Sequence, residues 1–236
     1  MLDALLDLAT GPLLRLSLIV MTVGLARVLL LQVVELALAR SRAGDPVVPW
    51  RLVARRGLAW VLPWRALQRA ERVPYNLASL VFHAGVILVP LFFAGHTAIW
   101  GARLGIRLPS LPAPVADGLS LVTVAALAWL LGSRAAMRAS RRLSHAQDWW
   151  LPVLFLAVFL SGLGAAHPAW SPIDARALYL GHVLAAEVLL VLVPFSKLQH
   201  LVLFWTGQAS TELGWRFPPG AGERVRLSLG KQGQGV

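Results

Sequence analysis

The sequence predicts an all-α integral membrane protein with five transmembrane helices, its N-terminus outside the cell and its C-terminus in the cytoplasm. Of its 236 residues, 57% are hydrophobic and only 14% are charged, whereas soluble domains carry about 25% charged residues. Apolar runs long enough for a helix to cross a bilayer also recur along the chain. Low charge and repeated long apolar runs therefore favour a helical membrane protein.

Composition also narrows the chemistry. The chain has no cysteine, which excludes disulfides, c-type haem attachment and thiolate ligation of zinc or iron–sulfur clusters within it. Its net charge of +11 is better explained by arginine-rich cytoplasmic loops than by nucleic-acid binding. The first apolar run follows acidic residues, Asp3 and Asp7, and is too long for a signal-peptide core, so we interpret it as a retained helix.

The apolar runs define the elements in order. Pro74 suits the first turn of the second helix, and Pro90 inside it predicts a kink. Residues 40–72 form a basic interfacial loop anchored by tryptophans, and residues 206–236 form a cytoplasmic tail. The five helices are predicted at about residues 12–39, 73–100, 115–131, 149–164 and 177–205.

Loop charge predicts the topology. The loops between helices I and II and between helices III and IV are basic, as is the tail, whereas the other two loops are nearly neutral. The positive-inside rule then puts the basic segments in the cytoplasm, in the cytoplasmic (inner) membrane of the cell. With this orientation, His83 and His200 share the cytoplasmic half of the membrane, and His96 and His182 share the outer half.

These four histidines are the candidate metal ligands. His182 and His200 are eighteen residues apart, so on a straight helix they share one face and are about 27 Å apart. Two level imidazole pairs suit two six-coordinate haem b groups, the inner held by His83 and His200 and the outer by His96 and His182. A metal site without haem is the alternative, since histidines in membrane helices also bind bare ions.

The spacing in helix II leaves one ligand open. His83 and His96 are thirteen residues apart and point about 140° away from each other on a straight helix. A kink at Pro90, or a local π-turn near Gly95, would re-aim one of them. Without such a feature, His167 replaces His96 as the outer ligand.

Two segments resemble a known family. The segment PFSKLQH, which ends at His200, and the stretch SHAQDWWLPVLFLAVFLSGL resemble the dihaem cytochrome b membrane subunits related to the nitrate reductase gamma subunit. That family includes the membrane cytochromes of the sulfite-reductase-associated complex and of heterodisulfide reductase, and the cytochrome partners of some hydrogenases. The resemblance covers helices II to V and includes the spacing of the last two histidines.

The resemblance implies a membrane anchor that passes electrons between quinol or quinone and an iron–sulfur partner subunit attached to a catalytic subunit. The cytoplasmic haem would face the iron–sulfur partner and the outer haem a quinone pocket. The substrate of the catalytic subunit and the direction of electron flow stay open. The rival interpretations are a haem-free membrane anchor and a small metal or ion transporter.

Other polar residues are weaker candidates. Glu187 is a possible proton acceptor for quinol, because an apolar environment makes a carboxylate easier to protonate. Arg27 and Lys197 are possible haem propionate contacts, although each could instead form a structural pair or extend to the membrane surface. At the outer side, His167, Asp117 and Asp174 suit ordinary loop or interface positions, and His167 is also a candidate for quinone protonation.

Overall fold

The computed structural model describes a helical chain with five candidate membrane spans. Among the described residues every regular element is helical, which confirms the predicted all-α class. The described residues are 1–42, 51, 54–55, 58, 73–204, 206–207, 218 and 220–234. The helices that are long and apolar enough to cross a membrane are Leu2–Leu38, Val73–Phe92, Ala113–Ala136, Gln147–Ala166 and Ala175–Phe195.

The described chain divides into two compact units. The first comprises Met1–Ser17 and Ala66–Leu189, and the second comprises Leu18–Arg65 and Leu190–Val236. Most of the predicted basic loop 40–72 and part of the predicted tail 206–236 lie outside the described residues. The interfacial position of the loop and the cytoplasmic position of the tail therefore stay predictions.

The first span begins earlier than predicted. Helix α1 (Leu2–Leu8), a π-helical stretch (Ala9–Leu13) and α2 (Leu14–Arg42) follow one another without interruption. The sequence had suggested a helix from residue 12 only. Pro12 lies in the π-helical stretch, and because proline has no backbone N–H, it favours a local change in hydrogen bonding rather than an end to the helix.

The second predicted helix is not continuous. It divides into α3 (Val73–Phe92) and α4 (Ala94–Leu104), and the backbone of Phe93 between them is extended, with φ −65° and ψ 136°. The break lies three residues after Pro90, which cannot donate a backbone hydrogen bond and crowds the preceding turn. The predicted kink is therefore a full interruption, and it changes the direction of the residues that follow.

A side chain and a neighbouring stretch of backbone satisfy the carbonyl groups at this break. Trp100 Nε1 donates a hydrogen bond of 3.0 Å to the carbonyl of Pro90. The backbone N–H of Leu111 donates one of 2.8 Å to the carbonyl of Phe92. Because unpaired carbonyls are costly away from water, these bonds stabilise the broken conformation.

Helix α5 (Ala113–Ala136) packs against α3 and against α7 (Gln147–Ala166), which follows the short basic helix α6 (Arg138–Leu143). Gly85 of α3 allows a close approach, because an added Cβ there would lie 1.7 Å from Thr123 Oγ1. Small and polar residues at helix contacts are typical of membrane proteins. The buried residues of α5 recur every three or four positions: Ala116, Ser120, Thr123, Ala126 and Leu127.

The fifth predicted helix is also interrupted. Helix α8 (Ala175–Leu192) is followed by two single 3₁₀ turns, Val193–Phe195 and Lys197–Gln199, and helical backbone resumes only at His200. Pro194 lies in the first turn, and Ser196 caps the second by accepting a 3.2 Å hydrogen bond from the N–H of Leu198. The argument that His182 and His200 share a face of one straight helix is therefore wrong.

Within the second unit, Pro194 lies directly against α2. An added Cβ at Gly24 would lie 2.5 Å from the Cβ and Cγ atoms of Pro194. Glycine at this position lets the proline ring contact the helix backbone. The turn that interrupts the fifth span is therefore built into the packing of this unit.

Candidate cofactor site

The first unit contains a cavity of about 320 Å³ where the break between α3 and α4 faces α5, α7 and α8. Apolar side chains form most of its wall, including Phe93, Phe159 and Leu163. A mostly apolar cavity with few polar groups is the usual form of a cofactor or ligand site. The polar residues that line it are His96, Asp117, Ser120, Tyr179 and His182.

His96 and His182 come together in this cavity, and we call them the outer pair. Their ring centroids are 5.9 Å apart and their ring planes differ by 13°. The break at Phe93 resolves the spacing problem in the sequence. His96 lies in the first turn of α4, so its direction does not follow from counting thirteen residues along the helix that carries His83. The structure thus brings together the two histidines that the sequence assigned to one haem.

Hydrogen bonds fix the chemical form of both rings. Nδ1 of His96 lies 3.1 Å from the carbonyl oxygen of Val89, and Nδ1 of His182 lies 2.8 Å from that of Val158. Because a carbonyl oxygen only accepts, each Nδ1 carries the proton and each Nε2 keeps its lone pair. Within the described part of the chain, neither Nε2 forms a hydrogen bond, which suits metal ligation.

The outer pair is also held by close packing. The ring of Phe93 meets that of His96 edge to face, with centroids 5.4 Å apart. Gly162 of α7 contacts the other ring, since an added Cβ there would lie 2.9 Å from Cε1 and Nδ1 of His182. The imidazole of His182 therefore lies directly on the backbone of α7, where it reaches the carbonyl of Val158.

The predicted inner ligands make the same kind of hydrogen bond. Nδ1 of His83 lies 2.7 Å from the carbonyl oxygen of Ser79, and Nδ1 of His200 lies 2.8 Å from that of Lys197. Both histidines are exposed. His83 belongs to the first unit and His200 to the second, so their pairing around one haem stays a prediction.

His167 is in a different environment. Its Nε2 lies 3.0 Å from Asp117 Oδ1, and its ring stacks on Trp170 with centroids 4.0 Å apart and planes 14° apart. It caps the C-terminus of α7. Nε2 of His167 thus contacts a carboxylate without forming an aligned hydrogen bond, whereas Nε2 of each member of the outer pair is available for a metal.

The other predicted residues are Glu187, in the first unit, and Arg27 and Lys197, in the second. Glu187 is buried on α8, and its Oε1 has no hydrogen-bond partner among the described residues, but it does not line the cavity. Arg27 is exposed on α2, and Lys197 is exposed in the last 3₁₀ turn. The proposed roles of these three residues therefore stay predictions.

Tyr179, Ser120 and Gly162 line the cavity without having been singled out in the sequence. The only available signals were the rarity of tyrosine, with two in the chain, and the position of Tyr179 three residues before His182. The contact of Gly162 with His182 joins two helices and has no local signature. Among the described residues, no group of three or more side chains is placed to hold a metal ion.

Comparison with known proteins identifies a relative. A protein of Nitratidesulfovibrio vulgaris (strain Hildenborough), described only as "Protein", is 32% identical over 168 residues, which are 71% of this chain and 73% of that protein. The chain belongs to the family of that protein. No family model matches the sequence, and no solved structure matches it.

Proposed function

We propose that this chain is a dihaem cytochrome b subunit of a respiratory oxidoreductase complex in the cytoplasmic membrane. In this proposal it passes electrons between a membrane quinol or quinone and an iron–sulfur partner subunit, which serves a separate catalytic subunit. The proposal combines the resemblance of helices II to V to the nitrate reductase gamma-like family with the geometry of the outer pair.

The geometry of the outer pair is the observation that carries the proposal. Two imidazoles on opposite sides of one metal ion, with bonds of about 2 Å, have ring centroids roughly 6 Å apart. The outer pair has a centroid distance of 5.9 Å, in a largely apolar cavity. Two imidazole ligands are the number that a six-coordinate haem takes from protein, because the macrocycle supplies the other four nitrogens.

The protein groups around the outer pair support ligation. Each Nδ1–H donates to a backbone carbonyl, which fixes the ring orientation and makes Nε2 a stronger donor, as is usual for histidine bound to metal. The haem would supply one-electron redox chemistry. The contribution of this chain would be to orient the rings, to surround them with apolar side chains and to keep water from the ligand bonds.

Charge supports the proposed orientation. Helix α6 carries three arginines, Arg138, Arg141 and Arg142, whereas the segment between α7 and α8 has none before Arg176. With the basic end in the cytoplasm, the outer pair lies near the outer surface and His83 nearer the cytoplasm. A map of reporter fusions would test this assignment, and a C-terminus outside the cell would contradict it.

The first test is a dithionite-reduced minus oxidised spectrum of the purified chain, with haem quantified as the pyridine haemochrome. We expect about two b haems per chain. Substitution of alanine for either member of the outer pair removes one haem, and alanine at His83 or His200 removes the other. A folded protein without haem would overturn the proposal and favour a haem-free anchor or a transporter.

A further inference from the structure

A carboxylate and an imidazole meet at the wall of the same cavity. Asp117 lines the cavity with the outer pair, and its Oδ1 lies 3.0 Å from Nε2 of His167. The side chains of His167 and Asp117 are 28% and 25% exposed. Nε2 of His167 is buried and forms no hydrogen bond among the described residues, so the two groups are in close contact without an aligned hydrogen bond. Both groups lie between the cavity and the surface of the protein.

The other carboxylates among the described residues of the first unit do not line the cavity. Glu187 is buried but does not line the cavity. Asp174 accepts hydrogen bonds from the backbone N–H groups of Arg176 and Ala177, so it caps helix α8. Asp148 pairs with Arg134 at 3.4 Å and lies at the opposite end of α7. Asp117 is the acidic residue that faces the cavity.

We infer that Asp117 accepts the proton of a quinol bound at the Asp117 edge of this cavity, beside the haem proposed between the outer pair, and that His167 carries that proton toward the outer surface. The inference rests on the proposed function and assigns a proton acceptor to it. It replaces Glu187, the candidate that the sequence suggested, because a proton acceptor has to reach the quinol oxygen within hydrogen-bond distance.

Oxidation of a quinol to a quinone breaks two O–H bonds and releases two electrons and two protons. The two proposed b haems would supply the oxidant, each taking one of the two electrons in its ferric form. Each proton passes from a quinol oxygen to the carboxylate of Asp117. From there it moves to Nε2 of His167, whose other ring nitrogen releases a proton to water, so that the carboxylate is ready for the next one.

The test uses the full-length, haem-loaded chain in lipid nanodiscs. A short-chain naphthoquinol is mixed with the oxidised protein, and haem reduction is followed by absorbance. Asp117→Asn keeps the size and polarity of the side chain but removes the proton acceptor. We expect the maximal rate to fall about 100-fold or more, the usual contribution of a general base. The dissociation constant for the quinone should change less than about threefold.

Two further measurements separate proton transfer from a structural role. Dithionite reduction needs no protein base and should proceed at the wild-type rate, and added acetate should restore part of the quinol-dependent rate of Asp117→Asn. His167→Gln should also slow the quinol reaction. Matched controls are Asp174→Asn, which keeps the helix cap, and His145→Gln, since His145 is another histidine beside an aspartate; both should react at the wild-type rate.

The outcomes distinguish this inference from the proposed function. Wild-type protein that holds no haem, or that quinol does not reduce, overturns the proposed function and this inference with it. Wild-type protein that quinol reduces, with Asp117→Asn reduced equally fast, overturns the inference alone, as does loss of rate in Glu187→Gln instead. If Asp117→Asn loses its haem, the rate of haem reduction by quinol in His167→Gln becomes the test. A wild-type rate in His167→Gln then overturns the inference.

Discussion

Gly162 gives the sharpest test of how the outer pair is held. The substitution Gly162→Ala adds one methyl group on the face of α7 that contacts the imidazole of His182. The new Cβ would lie 2.9 Å from Cε1 and Nδ1 of that ring, whereas ordinary contact begins at 3.4 Å. The ring must therefore move by about half an ångström, away from the helix whose Val158 carbonyl its Nδ1–H contacts at 2.8 Å.

The expected effect falls on cofactor affinity more than on folding. A side-chain ring can move at modest cost, so the stability of the helix packing should change little. Loss of the hydrogen bond that orients a metal-binding histidine typically lowers metal affinity about 10- to 100-fold, which corresponds to about 1.4–2.7 kcal/mol. We expect the proposed outer haem to be lost from Gly162→Ala on dilution or competition, while the proposed inner haem stays.

Haem per chain, quantified as the pyridine haemochrome before and after incubation with excess apomyoglobin, measures this effect. Gly181→Ala is the matched control, because Gly181 precedes His182 and an added Cβ there meets no atom within 4 Å. It should retain both haems. Two tightly held haems in Gly162→Ala, with an unchanged spectrum, would refute the argument that this glycine positions the ring.

Three further predictions follow from other contacts. If the outer pair ligates the proposed haem, its nearly parallel ring planes predict a rhombic low-spin electron paramagnetic resonance signal, because aligned imidazoles split the iron d orbitals; a strongly axial signal would contradict the geometry. Gly85→Ala would force a Cβ to within 1.7 Å of Thr123 Oγ1, which should lower the free energy of unfolding by about 1–3 kcal/mol and reduce the unfolding temperature in detergent. Gly118→Ala is the control, because an added Cβ there meets open space, and it should leave the unfolding temperature unchanged. Trp100→Phe removes the hydrogen bond to the Pro90 carbonyl and should lower the free energy of unfolding by about 1 kcal/mol. An unchanged unfolding temperature would show that this bond does not stabilise the break.

The existence and approximate position of the five spans could be predicted from sequence because the bilayer imposes a simple rule. A span needs about 20 apolar residues, and every such run in the described chain forms a helix. Pro90 was recognised as well, but its consequence was underestimated. Pro90 was expected to kink one continuous helix, and Pro194 falls inside the predicted helix 177–205, whereas the backbone is interrupted after Phe92 and after Leu192.

For the histidines too, the sequence identified the candidates but not which of them meet. Their presence in apolar segments identified them as functional candidates, since polar residues are costly in a membrane. Whether His96 or His167 accompanies His182 depended on the direction of the chain after Pro90, which straight-helix spacing gave incorrectly. The structure places His96 beside His182, and it places Nε2 of His167 3.0 Å from Asp117 Oδ1.

The sequence alone determined the class of the protein, its five apolar helices and the set of candidate ligands, because these depend on local hydrophobicity and residue type. Only the tertiary structure decided which side chains meet. The break at Phe93, the contact of Gly162 with the His182 ring and the approach of Asp117 to the cavity all depend on atoms that are distant in sequence. Their positions follow from helix packing, which residue spacing along the chain does not encode.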